Sequence, residues 1–248
     1  MAGHSHWAQI KHKKAKLDAQ RGKIFTRLIR EITVAVREGG PNPETNPRLR
    51  TAIENARRHN MPVETIERAI KKGSGEVGGE NYEEVLYEGY APGGVALMII
   101  TYTDNRNRTT SEIRHLLSKH GGNLGSSGCV SYLFERVGLI EVPRESISEE
   151  ELYEKVIEAG AEDLEVGEVA YTIYTKPESL YEVKESLEKA GVQIEKAELT
   201  YKPISTVQVQ DPELAKRVLK LIDALEDLDD VKEVIANFDI PKEVMASL

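Results

Sequence analysis

The chain is short of the residues that cross-link, anchor or catalyse. Cysteine occurs once, at Cys129. One thiol excludes internal disulfides and any cysteine-based zinc site, and it fits a reducing cytoplasm. The longest apolar run, 94–100, is far too short to span a bilayer, so no membrane partner is expected. No apolar core follows the N-terminal charges, which argues against a secretory signal, and Asp18 with His4-Ser-His-Trp7 argues against a transit peptide. The six histidines stand at 4, 6, 12, 59, 115 and 120, none beside an evident nucleophile. Most carboxylates fall on acidic helices, where a solvated face accounts for them. A non-enzymatic protein without cofactor is expected. Its rival is an enzyme with a cleft site between α/β domains, marked by perturbed groups near Arg106.

What the chain does have is a division of charge. The net charge is −9 over 248 residues. Residues 1–72 hold 16 Lys/Arg against 7 Asp/Glu, and the remainder holds 17 against 35. A positive end of about +9 precedes a body of about −18, the pattern of a polyanion-binding module carried on something that stays off polyanions.

Periodicity divides the chain further. Residues 1–22 form a basic arm. From Lys23, Phe25, Leu28, Ile29, Ile32 and Val36 share one helical face, with Lys23, Arg27, Arg30 and Arg37 roughly opposite. Gly39-Gly40-Pro41 stops that helix. Asn46-Pro47 caps a second, with Leu49, Ala52, Ile53 and Ala56 inward, and Pro62 opens a third, with Val63, Ile66 and Ile70 inward. Strands are expected at 84–89, 95–103 and 129–135, with a helix at 109–120 opened by a Thr109-Thr-Ser-Glu112 capping box. Residues 137–202 read β-α-β-β-α-β, the split βαβ of ferredoxin-like domains. Past Pro203, strands at 207–209 and 231–237 flank a helix at 212–225, and this remnant is expected to return to the sheet begun at 84–135. The resulting class is α+β multidomain: a three-helix module, then two ferredoxin-like α/β domains, one inserted in the other. Its parts are the arm 1–22, helical domain and linker 23–79, a discontinuous domain 80–136 plus 203–248, and an insert 137–202. Three sequential domains are the alternative, disfavoured because an isolated βαβ buries too little.

Candidate nucleic-acid contacts follow from the positive end. Lys11, Lys13, Lys14, Lys16, Arg21, Lys23, Arg27, Arg30, Arg57 and Arg58 could each neutralise a phosphate, while Trp7 and His12 offer rings for stacking. Arg48, Arg50, Arg68, Lys71 and Lys72 add to the basic faces. No helix shows a base-reading row of Asn, Gln and Arg, so sequence-specific readout is not indicated, and the residues do not choose DNA over RNA. Arg106 and Arg108 sit where a helix dipole disfavours cations, which suggests either an anion site or ion pairs with acids such as Glu88 or Asp104. Gly121–Gly128 reads as a helix stop and flexible loop, since it lacks a Walker ending, though it could contact a large partner. Were Met1 removed, Ala2-Gly3-His4 could chelate Cu(II) or Ni(II), but nothing else supports a metal, and no metal ligand is assigned.

Several blocks resemble a known family. Gly3-His-Ser-His-Trp7, Ile10-Lys-His-Lys-Lys-Ala15, Arg21-Gly-Lys-Ile-Phe-Thr26 and Leu28-Ile-Arg-Glu-Ile32 are similar to the opening of the YebC/PmpR family. Asn60-Met-Pro62, Tyr87-Glu-Gly-Tyr-Ala-Pro-Gly-Gly94, Thr103-Asp-Asn-Arg-Asn-Arg108 and Gly121-Gly-Asn-Leu-Gly125 resemble its later blocks in the same order. The resemblance implies three domains, a cytoplasmic location and a regulator of transcription that binds DNA. It also implies an alternative, because a mitochondrial relative activates translation of cytochrome c oxidase and bacterial members are tied to stalled ribosomes. The partner would then be ribosomal RNA or tRNA.

Overall fold

The structure is a computed structural model that describes residues 21–78 and 81–248. It is an α+β multidomain protein whose described residues form two compact units, each made of two chain segments.

The first unit comprises the described part of 19–132 together with Asp211–Ala236. Three helices open it: α1 (Arg21–Gly39), α2 (Pro47–Arg58) and α3 (Val63–Gly73). Leu28, Ile32, Val36, Leu49, Ala52, Ile53, Ala56, Ile66 and Ala69 close into one core. Asn46 sets the α1–α2 turn. Its Oδ1 accepts from Leu49 N at 3.1 Å, and its Nδ2 donates to Ala35 O at 2.8 Å and Gly40 O at 2.9 Å. One side chain thereby satisfies an orphan amide of one helix and ties it to carbonyls at the end of the other. Asn60 turns the chain between α2 and α3 at φ 60°, with its amide on Arg57 O and the Met61 amide on Ala56 O. This is a Schellman cap with Asn in the left-handed position that glycine usually takes. Val63 departs from its expected inward position and is 60% exposed. Pro62 is the cap, so Val63 falls on the first turn at the edge of the apolar stripe.

The sheet of this unit runs β3-β1-β2-β9, all antiparallel: β1 (Glu83–Tyr90), β2 (Ala96–Thr103), β3 (Asn123–Leu124) and β9 (Val231–Ala236). Every residue of β2 is buried, as expected of a central strand. Helices α4 (Arg106–Lys119) and α7 (Pro212–Glu226) pack against each other. The start of α4 corrects the expected capping box. Asn105 is the cap, accepting from Arg108 N at 3.1 Å, and Thr109 lies one turn inside, fully buried.

The second unit comprises Leu133–Gln210 and Asn237–Leu248. Its sheet order is β5-β6-β4-β7, from β4 (Phe134–Pro143), β5 (Asp163–Val166), β6 (Ala170–Thr175) and β7 (Lys196–Pro203). With α5 (Glu149–Ala159) and α6 (Leu180–Lys189) the element order is the β-α-β-β-α-β of a ferredoxin-like sheet. Ser148 and Gly160 bound α5 as N-cap and left-handed C-cap. The expected strand 129–135 and the first strand of the 137–202 unit are replaced by the single ten-residue β4, preceded by a turn at Ser131–Leu133. The short β8 (Val207–Gln208) does not join the sheet begun at β1. It pairs in parallel with β10 (Phe238–Asp239), and a short helix α8 (Lys242–Ala246) follows.

Candidate nucleic-acid interface

The cations of α1 are largely consumed within the molecule. Lys23 Nζ lies 3.4 Å from Asp227 Oδ1, and Arg27 Nη2 donates to Glu226 O. Arg30, expected on the outer face, is buried instead. Its Nη1 donates to Tyr102 O at 3.0 Å, Asp229 O at 2.9 Å and Asp230 Oδ1 at 2.7 Å. Its guanidinium stacks 4.7 Å from the Tyr82 ring centroid, where Lys72 Nζ stands at 4.5 Å. Face-on cation contacts of this kind favour charge near an aromatic ring. The wheel placed Arg30 away from the core of its own module. The structure packs that side against the α7–β9 corner.

Asp230 is the hub of that corner. Besides Arg30 it accepts from Arg108 Nε at 3.1 Å and Nη2 at 2.8 Å, and from Thr109 Oγ1 at 2.6 Å. Burial pushes its carboxyl up, but hydrogen bonds from Arg108, Thr109 and Arg30 outweigh that and hold it below the usual carboxylate range. Arg108 also reaches Asp104 at 2.8 Å, and Arg106 pairs with Glu83. The hydrogen bond from Arg106 lowers the Glu83 carboxyl, although this pair is solvated and contributes little to stability. Both candidate anion-site arginines therefore face carboxylates, and the Asn105 side chain occupies the Arg108 amide. Sequence reading missed Asp230. Its only signal is a pair of aspartates just ahead of an apolar strand.

The glycine-rich loop holds an anion from its own chain. Glu88, 4% exposed, accepts from Gly128 N at 2.5 Å, Val130 N at 3.1 Å and Ser131 N at 2.7 Å. Three amides of one turn aimed at one carboxylate resemble the nests that bind phosphate elsewhere, and here the position is filled. Gly125 passes so close to Cys129 that a side chain there would meet its sulfur. The Cys129 thiol is pushed up by burial and by Glu88.

Arg48 is also spoken for: its guanidinium pairs with Glu38 and Glu84 and donates to Tyr102 Oη at 3.0 Å. The exposed cations of the helical module are Lys23, Arg37, Arg50, Arg57, Arg58, Arg68 and Lys71, of which Arg37 donates to Tyr82 O at 3.3 Å and Arg50 to Pro43 O at 3.4 Å. Arg57 and Arg58 end α2, next to His59, whose Nδ1 lies 2.9 Å from Asn55 O. A carbonyl only accepts, so Nδ1 carries the proton and Nε2 is free to face a ligand. Trp7, Lys11, His12, Lys13, Lys14, Lys16 and the Ala2-Gly3-His4 site lie outside the described residues, as does the side chain of Arg21. Among the described residues no cluster of His, Cys, Asp and Glu could hold a metal ion, and no helix is long and apolar enough to cross a membrane.

Comparison with known proteins agrees along the whole chain. The family model for the TACO1/YebC protein N-terminal domain matches residues 5–76, and that for the TACO1/YebC second and third domain matches residues 82–238. A "Probable transcriptional regulatory protein" of Aquifex aeolicus (strain VF5) is 71% identical over 99% of this chain and 98% of its own length. A protein of the same name from Persephonella marina is 61% identical over 99% and 98%. The crystal structure of a conserved hypothetical protein, Aq1575 from Aquifex aeolicus, matches with a TM-score of 0.92 and 71% identity, covering 97% of this chain and 99% of that one. The chain belongs to the TACO1/YebC family.

Proposed function

We propose that this chain is a non-enzymatic regulator that binds nucleic acid through its basic arm and the exposed cations at the end of α2, and that it acts in the cytoplasm on transcription. The carrying observation is the charge division, about +9 over residues 1–72 against about −18 beyond. The ion pairs sharpen it. Lys23, Arg27, Arg30, Arg48, Arg106 and Arg108 are engaged with carboxylates or carbonyls, so the reading draws on the exposure of Arg57 and Arg58 at the end of α2 and on the composition of the arm with Lys11, Lys13, Lys14 and Lys16. The name borne by the Aquifex and Persephonella relatives supports a role in gene regulation.

One observation favours a second reading, contact with folded or single-stranded RNA such as that of a ribosome. The exposed face of α3 begins with Glu64 and Glu67, and carboxylates there would oppose the phosphates flanking a major groove. Crosslinking in cells, followed by sequencing of the bound nucleic acid, separates the two. Discrete promoter peaks support transcription control, reads in ribosomal RNA or tRNA support the second reading, and recovery of neither would remove both.

A further inference from the structure

The acidic body carries a basic surface that no stretch of sequence reveals. Lys119 and His120 close α4, and Arg217 and Lys220 lie on α7, about a hundred positions later. Two measures join them. A side chain at Gly121 would stand 2.8 Å from Arg217 Nη2. The His120 imidazole is lowered by burial and by the charges of Lys119 and Lys220 together. Lys119, Arg217 and Lys220 are all exposed, and none forms a salt bridge among the described residues. The nearby Lys216 does, with Glu213 at 3.7 Å.

Arg30 and Arg108 of the same unit meet carboxylates, whereas these three cations stand together with no salt bridge among the described residues. Bringing three cations together without an anion costs energy, and in a chain with 42 carboxylates the neutralising partner was available. Beside them the chain from Gly121 to Tyr132 contains no charged residue at all. Glu88 keeps its carboxylate buried beneath this loop, and the exposed side chains of the loop, Asn123, Ser126, Ser127, Ser131 and the 70%-exposed Tyr132, are all uncharged. Desolvating a carboxylate to fix a surface loop is expensive, and the expense is reasonable where the loop must keep its shape against a partner. The loop starts at Gly121, within reach of Arg217, and adds hydroxyls and an aromatic ring without adding negative charge, while Glu213, one turn before Arg217, is paired with Lys216.

We propose that Lys119, Arg217 and Lys220, with His120 among them and the uncharged Gly121–Tyr132 loop alongside, form a second contact surface for the phosphate backbone of a nucleic acid. This rests on the nucleic-acid reading above and adds a site in the part of the chain whose composition argues against one. A ligand held at both surfaces binds more tightly than either alone would allow.

The test uses the full chain and two labelled probes, a DNA duplex and an RNA hairpin with single-stranded tails, titrated between about 50 and 200 mM KCl. The combined variant Lys119→Gln, Arg217→Gln, Lys220→Gln should lose roughly tenfold or more in affinity and lower the slope of log K against log salt by about two to three. All three side chains are exposed, so the fold should survive, and the single variant Lys220→Gln, losing about one unit of slope, guards against a failure of the triple. Wild-type slope and affinity in these variants, with an arm variant impaired, would overturn this site and leave the nucleic-acid reading standing. Failure of the unmodified chain to bind either probe would overturn both. A loss confined to anionic lipid vesicles, with probe binding intact, would also overturn it.

Discussion

Arg30 and Asp230, 200 positions apart in the chain, share a hydrogen bond of 2.7 Å between side chains 10% and 2% exposed. The bond ties the first helix to the edge of a strand that forms near the C-terminus. Arg108 and Thr109 complete the arrangement from the start of α4. Removing one partner of a buried pair leaves the others uncompensated, so Asp230→Asn should destabilise the unit by about 3 kcal/mol. The pH dependence follows from the lowered carboxyl. The unfolded state binds the proton first, so the contribution is full above the ordinary aspartate range and is lost as pH falls through the depressed folded value. Denaturant titration across the acid range should show the variant both weaker and flatter. A wild-type acid limb in the variant would contradict this role.

Glu88→Gln tests the filled nest. Glutamine keeps one acceptor but turns an NH2 group towards amides that can only donate, so roughly 1–3 kcal/mol of local stability should be lost. Amide hydrogen exchange at Gly128, Val130 and Ser131 should accelerate, while β2 stays protected. Equal protection in both proteins would mean the loop is held by something else.

Two glycines should respond differently to alanine. At Gly122 a Cβ runs into the backbone carbonyl of Tyr90, which cannot move without breaking the β1–β3 pairing. The cost should be about 1–3 kcal/mol. At Gly78 a Cβ meets nothing within 4 Å, and Gly78→Ala should leave thermal unfolding unchanged.

Cations with internal partners should behave unlike those without. Arg27→Gln breaks the bond to Glu226 O and should lower stability while leaving the salt slope of polyanion binding intact. Arg57→Gln should do the reverse, reducing the slope by about one with no change in unfolding. If both variants shift only the slope, the α1 face is a contact surface after all.

How much of this was legible depended on sequence separation. Helix ends were readable because their causes are local: Asn46 before Pro47, Gly39-Gly40 at the end of α1, Pro62 before α3. The β-α-β-β-α-β order was readable from periods of two and three to four. Arg30 was misplaced because the wheel knows one helix, whereas its partners lie about 200 residues away. Strand β4 was split in two because the Val130 and Ser131 amides turn aside to Glu88, a contact across more than forty positions. Lys119, Arg217 and Lys220 were hidden in an acidic average and meet only because α4 and α7 pack together. Val63 shows a smaller limit, since a residue at the rim of a stripe can fall either way.

The central claim is that the positive end of this chain grips a polyanion. It is tested most directly by the salt dependence of nucleic-acid binding, measured on the full chain and on the variant with Lys11, Lys13, Lys14 and Lys16 all changed to Ala. Each lost phosphate contact removes about 0.9 from the slope on duplex DNA and about 0.7 on single strands, so the variant should be weaker and its slope shallower by about three. Superimposable titrations for the two proteins would contradict the account.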